Sequence, residues 1–148
     1  RRPAAACGNR RLAARKPDAA IAAAQIINTK IIGVSVLTSL NEEDAAALFQ
    51  NTTQDQAARL FKLANETGIH GIVCSPLELD LANKILLPEM LKITPGIRDV
   101  TVNDDQSRTM AAKAAIKNGA SYLVIGRPIS QAPNVSEALK YFTKSIDE

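Results

Sequence analysis

The chain has no Trp, and Phe49, Phe61, Tyr122, Tyr141 and Phe142 are its five aromatic residues. So few aromatic faces argue against a surface that stacks nucleic-acid bases. His70 is the single His, and Cys7 and Cys74 are the two cysteines. They show no Cys-x-x-Cys or Cys/His spacing, so no zinc set and no metal are expected. Two thiols outside any disulfide framework fit a reducing cytosol, and the expected location is cytoplasmic. No apolar run approaches the ~18 residues of a membrane span, and no membrane partner is expected.

Acidic residues are missing from the first 17 positions. Arg1, Arg2, Arg10, Arg11, Arg15 and Lys16 are six of the 18 basic residues. The remainder carries 12 basic and 15 acidic residues, so the formal charge of +3 becomes −3 without that segment. The basic balance therefore belongs to the N-terminal stretch and does not mark a nucleic-acid surface on the domain. Residues 1–17 read as a basic tail, disordered or non-native. They are Arg-rich and acid-poor as transit peptides are, but lack the Ser content and amphipathic pattern of one. Residues 18–148 read as the folded unit, long enough for one real core.

Within that unit, apolar strands alternate with helical stretches. Residues 18–27 are Ala-rich and favour helix. Residues 31–37 (Ile-Ile-Gly-Val-Ser-Val-Leu) predict a strand that is apolar on both faces, as in a parallel sheet. Asn41 can cap a helix whose first turn holds Glu42, Glu43 and Asp44. Thr52 or Thr53 opens a second helix, with Ala57, Leu60, Phe61 and Ala64 on one face and Gly68 as its stop. A strand over 71–74 leads into Ser75-Pro76-Leu77-Glu78, a capping box with Pro in the first helical position. Pro88 ends that helix. A third strand covers 91–94 and a polar loop covers 96–106. A helix running to Lys117 then buries Ala112, Ala115 and Ile116. The fourth strand covers 122–125, and the last helix places Val135, Ala138, Leu139 and Phe142 on one side. Four strand–helix repeats predict a parallel sheet with crossover helices. No Gly-x-Gly-x-x-Gly follows any strand, so a Rossmann dinucleotide unit is excluded.

The strand ends carry the candidate chemistry. Tyr122-Leu123-Val124-Ile125 runs into Gly126-Arg127-Pro128. A residue without a side chain lets backbone approach a ligand, and a guanidinium offers a planar donor fork to a phosphate. Leu91-Lys92-Ile93-Thr94 likewise runs through Pro95-Gly96-Ile97 to Arg98. In (β/α)₈ barrels phosphate commonly binds after the last two strands. Two such ends suggest one site for a phosphorylated small molecule. Other groups read as structural. His70 has no sequence partner, Cys74 is a small buried apolar residue, and Glu42-Glu43-Asp44 is helix-terminal charge rather than an acid/base pair.

Val36-Leu37-Thr38-Ser39, Val73-Cys74-Ser75, Thr94-Pro95-Gly96-Ile97-Arg98, Asp105-Gln106-Ser107-Arg108 and Val124-Ile125-Gly126-Arg127-Pro128-Ile129 form an ordered set. In order and spacing, over about residues 20–146, this set resembles bacterial orotidine 5′-monophosphate decarboxylases. The resemblance implies an α/β fold of the (β/α)₈ TIM-barrel family, here the last four βα units. It implies a lyase that converts orotidine monophosphate to uridine monophosphate and CO₂ without metal or organic cofactor. Its substrate-binding positions fall on Thr38, Arg98, Gln106, Gly126 and Arg127, with Ser39 and Pro95 near the pyrimidine edge. Gln106 corresponds to a loop residue that folds over the nucleotide, and Gly126 with Arg127 to the phosphate grip. A homodimer is implied for the complete enzyme.

The family's proton-donating Lys stands in an Asp-x-Lys-x-x-Asp motif, and no such motif occurs in this sequence. Lys16 and Asp18 do not have its spacing. A chain of 148 residues is also short of the roughly 250 that a whole barrel needs. It begins at Arg1 rather than Met. The expectation is a truncated or frame-broken half-barrel with no catalytic residue of its own. Another phosphate-binding barrel decarboxylase and a non-catalytic half-barrel that binds nucleotide phosphate remain as alternatives.

Overall fold

A computed structural model of the protein describes residues 21–22, 29–98 and 109–147. The basic segment, most of the helix expected over 18–27, and Gln106 lie outside the described residues.

Four short apolar runs form β1 (Ile32–Val34), β2 (Gly71–Val73), β3 (Leu91–Thr94) and β4 (Tyr122–Leu123). They pair in parallel, in the order β1-β2-β3-β4. The strands are shorter than expected over 31–37 and 122–125. The ladder continues one residue further in places, as Ser35 N–H donates to Val73 C=O at 2.9 Å and Val124 N–H to Thr94 C=O at 2.9 Å. Beyond Ser35 the chain turns, with Leu40 N–H donating to Leu37 C=O at 3.1 Å, so Thr38 and Ser39 occupy a turn.

The connecting helices are α1 (Glu42–Phe49), α2 (Thr53–Thr67), α3 (Leu79–Ile85), α4 (Ala112–Lys117), α5 (Arg127–Ser130) and α6 (Val135–Asp147). Local chemistry sets their ends. Asn41 and Asp44 form a reciprocal capping box on α1. Thr52 caps α2, and Gly68 stops it with a φ of 66°, where a side chain is disfavoured. Ser75 and Glu78 close a second capping box around a 3₁₀ turn (Pro76–Glu78) that leads into α3. Glu42 reaches forward from α1 and accepts from Thr53 N–H at 3.0 Å. The Glu42-Glu43-Asp44 run thus serves helix ends, as its composition suggested.

Phe61, Ile72, Leu79 and Ile97 are fully buried between sheet and helices. Two expected core contributions fail. Ile116 is 36% exposed on α4, and on α6 Phe142 is buried while Val135 and Leu139 are about half exposed. α6 packs on α4 and α5, with Phe142 buried and Ile146 partly buried against the core. α5 itself was not legible, because four residues are too few for a periodic pattern.

Register divides the strand residues between two faces, since paired residues of parallel strands share a face and successive residues alternate. Ile72, Cys74 and Thr94 lie on the helix-covered face and are buried. Val34, Val73, Ile93, Tyr122 and Val124 share the other face. Val34 is 57% exposed, Tyr122 59% and Val124 48%. β1, read as a strand apolar on both faces, is an outer strand of this sheet.

Candidate functional site

Because all four strands run the same way, everything that follows a strand emerges at one edge. That edge is where barrel folds carry chemistry. Thr38 and Ser39 follow β1, Ser75 follows β2, Pro95 follows β3, and Gly126 with Arg127 follows β4. The arrangement brings the sequence-selected residues to a common rim. β1 and β4 are three strand spacings apart, about 14 Å along the sheet. Thr38 and Arg127 therefore stand at opposite ends of this rim.

Thr38 is half-buried and Ser39 exposed. Gly126 precedes α5 with φ −95° and ψ −102°, and Arg127 is the first residue of that helix, not part of an open loop. The Gly126 carbonyl accepts from Ile129 N–H at 2.9 Å and Ser130 N–H at 3.0 Å. A Cβ added at Gly126 meets nothing within 4 Å. Packing does not demand glycine here, and the space in front of it is open.

Arg98 takes a different place. It is 8% exposed, and its Nη1 donates to the Ile97 carbonyl at 2.8 Å. It lines a cleft of about 210 Å³ between the start of α4 and the side of α6, with Ala111, Lys113, Tyr141 and Ser145. Gly126 and Arg127 do not line that cleft. Arg98 and Arg127 each follow a strand at this edge, and Arg127 is not part of the lining of the cleft that Arg98 enters. A parallel bridge between Ile97 and Met110 closes the base of the loop that carries Gln106. Arg98 N–H donates to Met110 C=O at 3.1 Å, and Met110 N–H to Gly96 C=O at 3.2 Å.

A buried carboxylate underlies the rim. Glu78 is 2% exposed, and its Oε2 accepts from Ser35 Oγ at 3.1 Å and Ser75 N–H at 3.1 Å. It ties the end of β1 to the end of β2, just below Thr38 and Ser75. The capping box was legible in the sequence, whereas the tie to Ser35 was missed. The available signal was a lone hydroxyl, Ser35, inside an otherwise apolar strand. Cys74 sits alongside. Burial first, and then the Glu78 carboxylate, push its thiol up to about 12, against smaller opposing effects of Thr94 and Lys92. A thiol in that state is neutral and inert at physiological pH. His70 lies at the opposite edge of the sheet, where Nδ1 accepts from Ile31 N–H at 2.9 Å and joins the starts of β1 and β2. Its role is structural.

The sequence model of the Orotidine 5'-phosphate decarboxylase / HUMPS family matches residues 13–142. The chain is 42% identical over 120 residues to an orotidine 5'-phosphate decarboxylase of Wolbachia pipientis, covering 80% of this chain and 53% of the relative. A relative of the same name from Actinobacillus succinogenes is 42% identical over 118 residues, covering 78% of this chain and 51% of its own length. Among solved structures, orotidine 5'-phosphate decarboxylase from Lactobacillus acidophilus superposes with a TM-score of 0.65 at 30% identity, over 81% of this chain and 50% of that one. The enzyme from Pyrococcus horikoshii gives 0.63 at 25% identity, over 88% and 56%. The chain spans about half the length of the curated relatives it matches. The parallel strand–helix order, the strand-tip residues and these matches agree: the chain belongs to the orotidine 5'-phosphate decarboxylase / HUMPS family, with the fold of a partial (β/α)₈ barrel.

Proposed function

We propose that this chain is the nucleotide-gripping half of an orotidine 5′-monophosphate decarboxylase. The observation that carries the reading is Gly126-Arg127 at the tip of β4, on the same rim as Thr38 and Pro95. Arg127 holds the phosphate through charge-assisted hydrogen bonds, with its planar fork matched to two phosphate oxygens. The open space before Gly126 admits the phosphate close to backbone. Thr38, Ser39 and Pro95 face the pyrimidine end. Arg98 supports the phosphate side from behind β3, and the resemblance adds Gln106, outside the described residues, to the nucleotide-binding set.

In the reaction the bond from the pyrimidine ring to the carboxylate breaks, CO₂ leaves, and the electron pair stays on the ring carbon. A proton then closes that carbon. Binding energy gathered at the remote phosphate is realised in the transition state, which is how this half contributes to rate. The resemblance assigns the proton to a Lys in Asp-x-Lys-x-x-Asp, a motif that this sequence does not contain. The 148-residue chain alone is therefore inactive on this reading. The complete enzyme is a cytosolic homodimer that uses no metal or organic cofactor. Among the described residues no helix is long and apolar enough to cross a membrane.

The missing motif also favours a second reading, a half-barrel that binds nucleotide phosphate without chemistry. Joining the chain in frame behind strands one to four of a relative decides between them. The first reading expects decarboxylation of orotidine monophosphate by the joined protein and none by the chain alone. A joined protein that folds and binds uridine monophosphate but never turns over supports the binding module.

A further inference from the structure

Glu78 is more deeply buried than its capping duty requires. A capping box needs a carboxylate within reach of the helix start and nothing more. On α1 the same duty falls to Asp44, whose bond to Asn41 N–H lies exposed to solvent. Glu78 is 2% exposed. Taking a carboxylate out of water is expensive, and capping alone does not call for it.

What burial adds is reach. Glu78 Oε2 accepts from Ser75 N–H at 3.1 Å and also from the buried Ser35 Oγ at 3.1 Å, at the end of the neighbouring strand. A serine hydroxyl carries one hydrogen and two lone pairs. With the hydrogen committed to Glu78, the lone pairs are left for Val36 N–H, which donates to Ser35 Oγ. Ser35 stands where the β1–β2 ladder runs out, its own N–H bonding Val73 C=O at 2.9 Å. Glu78 thus sets the direction of the first peptide beyond the ladder. Val36 then enters the core, at 3% exposure. The next residues form the turn in which Leu40 N–H donates to Leu37 C=O at 3.1 Å, with Thr38 and Ser39 at its centre.

The geometry points to Glu78 as a positioning residue of the nucleotide site: through Ser35 and the Val36 peptide it fixes the turn that carries Thr38 against the end of β2. This role presupposes the nucleotide reading above, and every contact that serves it lies within this chain. A displaced supporting group commonly costs a site its geometry without touching the ligand. Ser35 separates positioning from capping. Ser35→Ala cuts the relay to the Thr38 turn and leaves the bond from Ser75 N–H to Glu78 in place.

A double-mutant cycle on uridine monophosphate affinity tests this, in the protein made by joining this chain behind strands one to four of a relative. Ser35→Ala is expected to weaken binding about five- to twentyfold. In a Thr38→Ala background the same change should cost less than about twofold, because the residue it acts through is gone. In an Arg127→Ala background, at the other end of the rim, it should cost the full factor. Ser35→Cys, close in size but a weaker donor and acceptor, takes the place of Ser35→Ala if that protein does not fold. Unchanged affinity, or one loss repeated in all three backgrounds, means that Glu78 and Ser35 support the fold alone, and overturns the proposal. Absence of binding by the folded, unaltered joined protein overturns the nucleotide reading itself, and the positioning role with it.

Discussion

At Arg127 a single guanidinium stands between a residue without a side chain and a proline, at the start of α5. In a complete enzyme joined to this chain, Arg127→Ala is expected to cost about 2–5 kcal/mol in kcat/KM toward orotidine monophosphate, the loss of a charge-assisted pair. A substrate lacking the phosphate should be indifferent to the change. Equal losses on both substrates mean that Arg127 supports structure instead. Cys74 gives a prediction of a different kind. Its folded value of about 12 lies above the ordinary 9.0. Below pH 9 the thiol is neutral folded and unfolded, so it adds no pH dependence. As pH rises from 9 toward 12 the unfolded chain ionises while the folded one does not, and stability is lost. Urea unfolding near pH 10.5 against pH 8 should show a smaller drop for Cys74→Ala than for the unaltered chain. The difference is at most about 1.4 kcal/mol per pH unit. An identical drop in both chains refutes the burial argument. Residue type and strand-tip position singled out Gly126 and Arg127 as candidates in the sequence, whereas Thr38 and Pro95 became candidates only through the family resemblance. The tie from Glu78 to Ser35 was not legible, because a contact between residues 43 apart leaves no local pattern.

Two glycines show how much an element's sequence discloses. Gly71 opens β2, and a Cβ there lies 2.6 Å from the Leu91 carbonyl oxygen and 2.7 Å from its Cβ. Backbone cannot yield cheaply, so Gly71→Ala forces β2 away from β3. A loss of about 1–3 kcal/mol is expected in denaturant unfolding, the usual range for overpacking. Gly126→Ala enters open space, meets no neighbouring atom, and should cost less than Gly71→Ala. If the two substitutions cost the same, the β2–β3 contact is not the tight one. From sequence Gly126 stood out as a strand-tip glycine before an Arg, whereas the tight contact at Gly71 left no local sign. Strand existence, helix starts at Asn41, Thr52 and Ser75, and the stop at Gly68 were legible because caps and periodicity are local. Strand lengths were not, since the turn at 37–40 interrupts an apolar run that still looks continuous. The exposed side of α6 was not legible either. Its Val135-Ala138-Leu139-Phe142 stripe is correctly helical, but periodicity cannot tell how much of a stripe finds a partner.

For the whole molecule, the strand–helix alternation pointed to a parallel barrel-type sheet, and the four-strand order in sequence bears that out. Charge distribution is the other property visible at this scale. The full chain carries +3, and residues 1–16 hold six basic and no acidic residues. Removing them reverses the sign to −3. Attraction to a polyanion depends on that field and weakens with salt. The intact chain should therefore adsorb to heparin or to DNA of random sequence at low ionic strength and release as salt rises. A chain starting at Pro17 should not adsorb. If it still binds DNA with a steep salt dependence, the basic groups of the folded unit form a nucleic-acid surface. The rim would then not be a site for one small phosphorylated ligand. If adsorption disappears while uridine monophosphate protects the joined enzyme equally with and without residues 1–16, the basic segment and the rim are separate in function. That result is the expected one, because the selectivity proposed for the rim rests on Gly126, Arg127 and Thr38 at fixed strand ends, whereas the segment brings six basic residues and no acidic one.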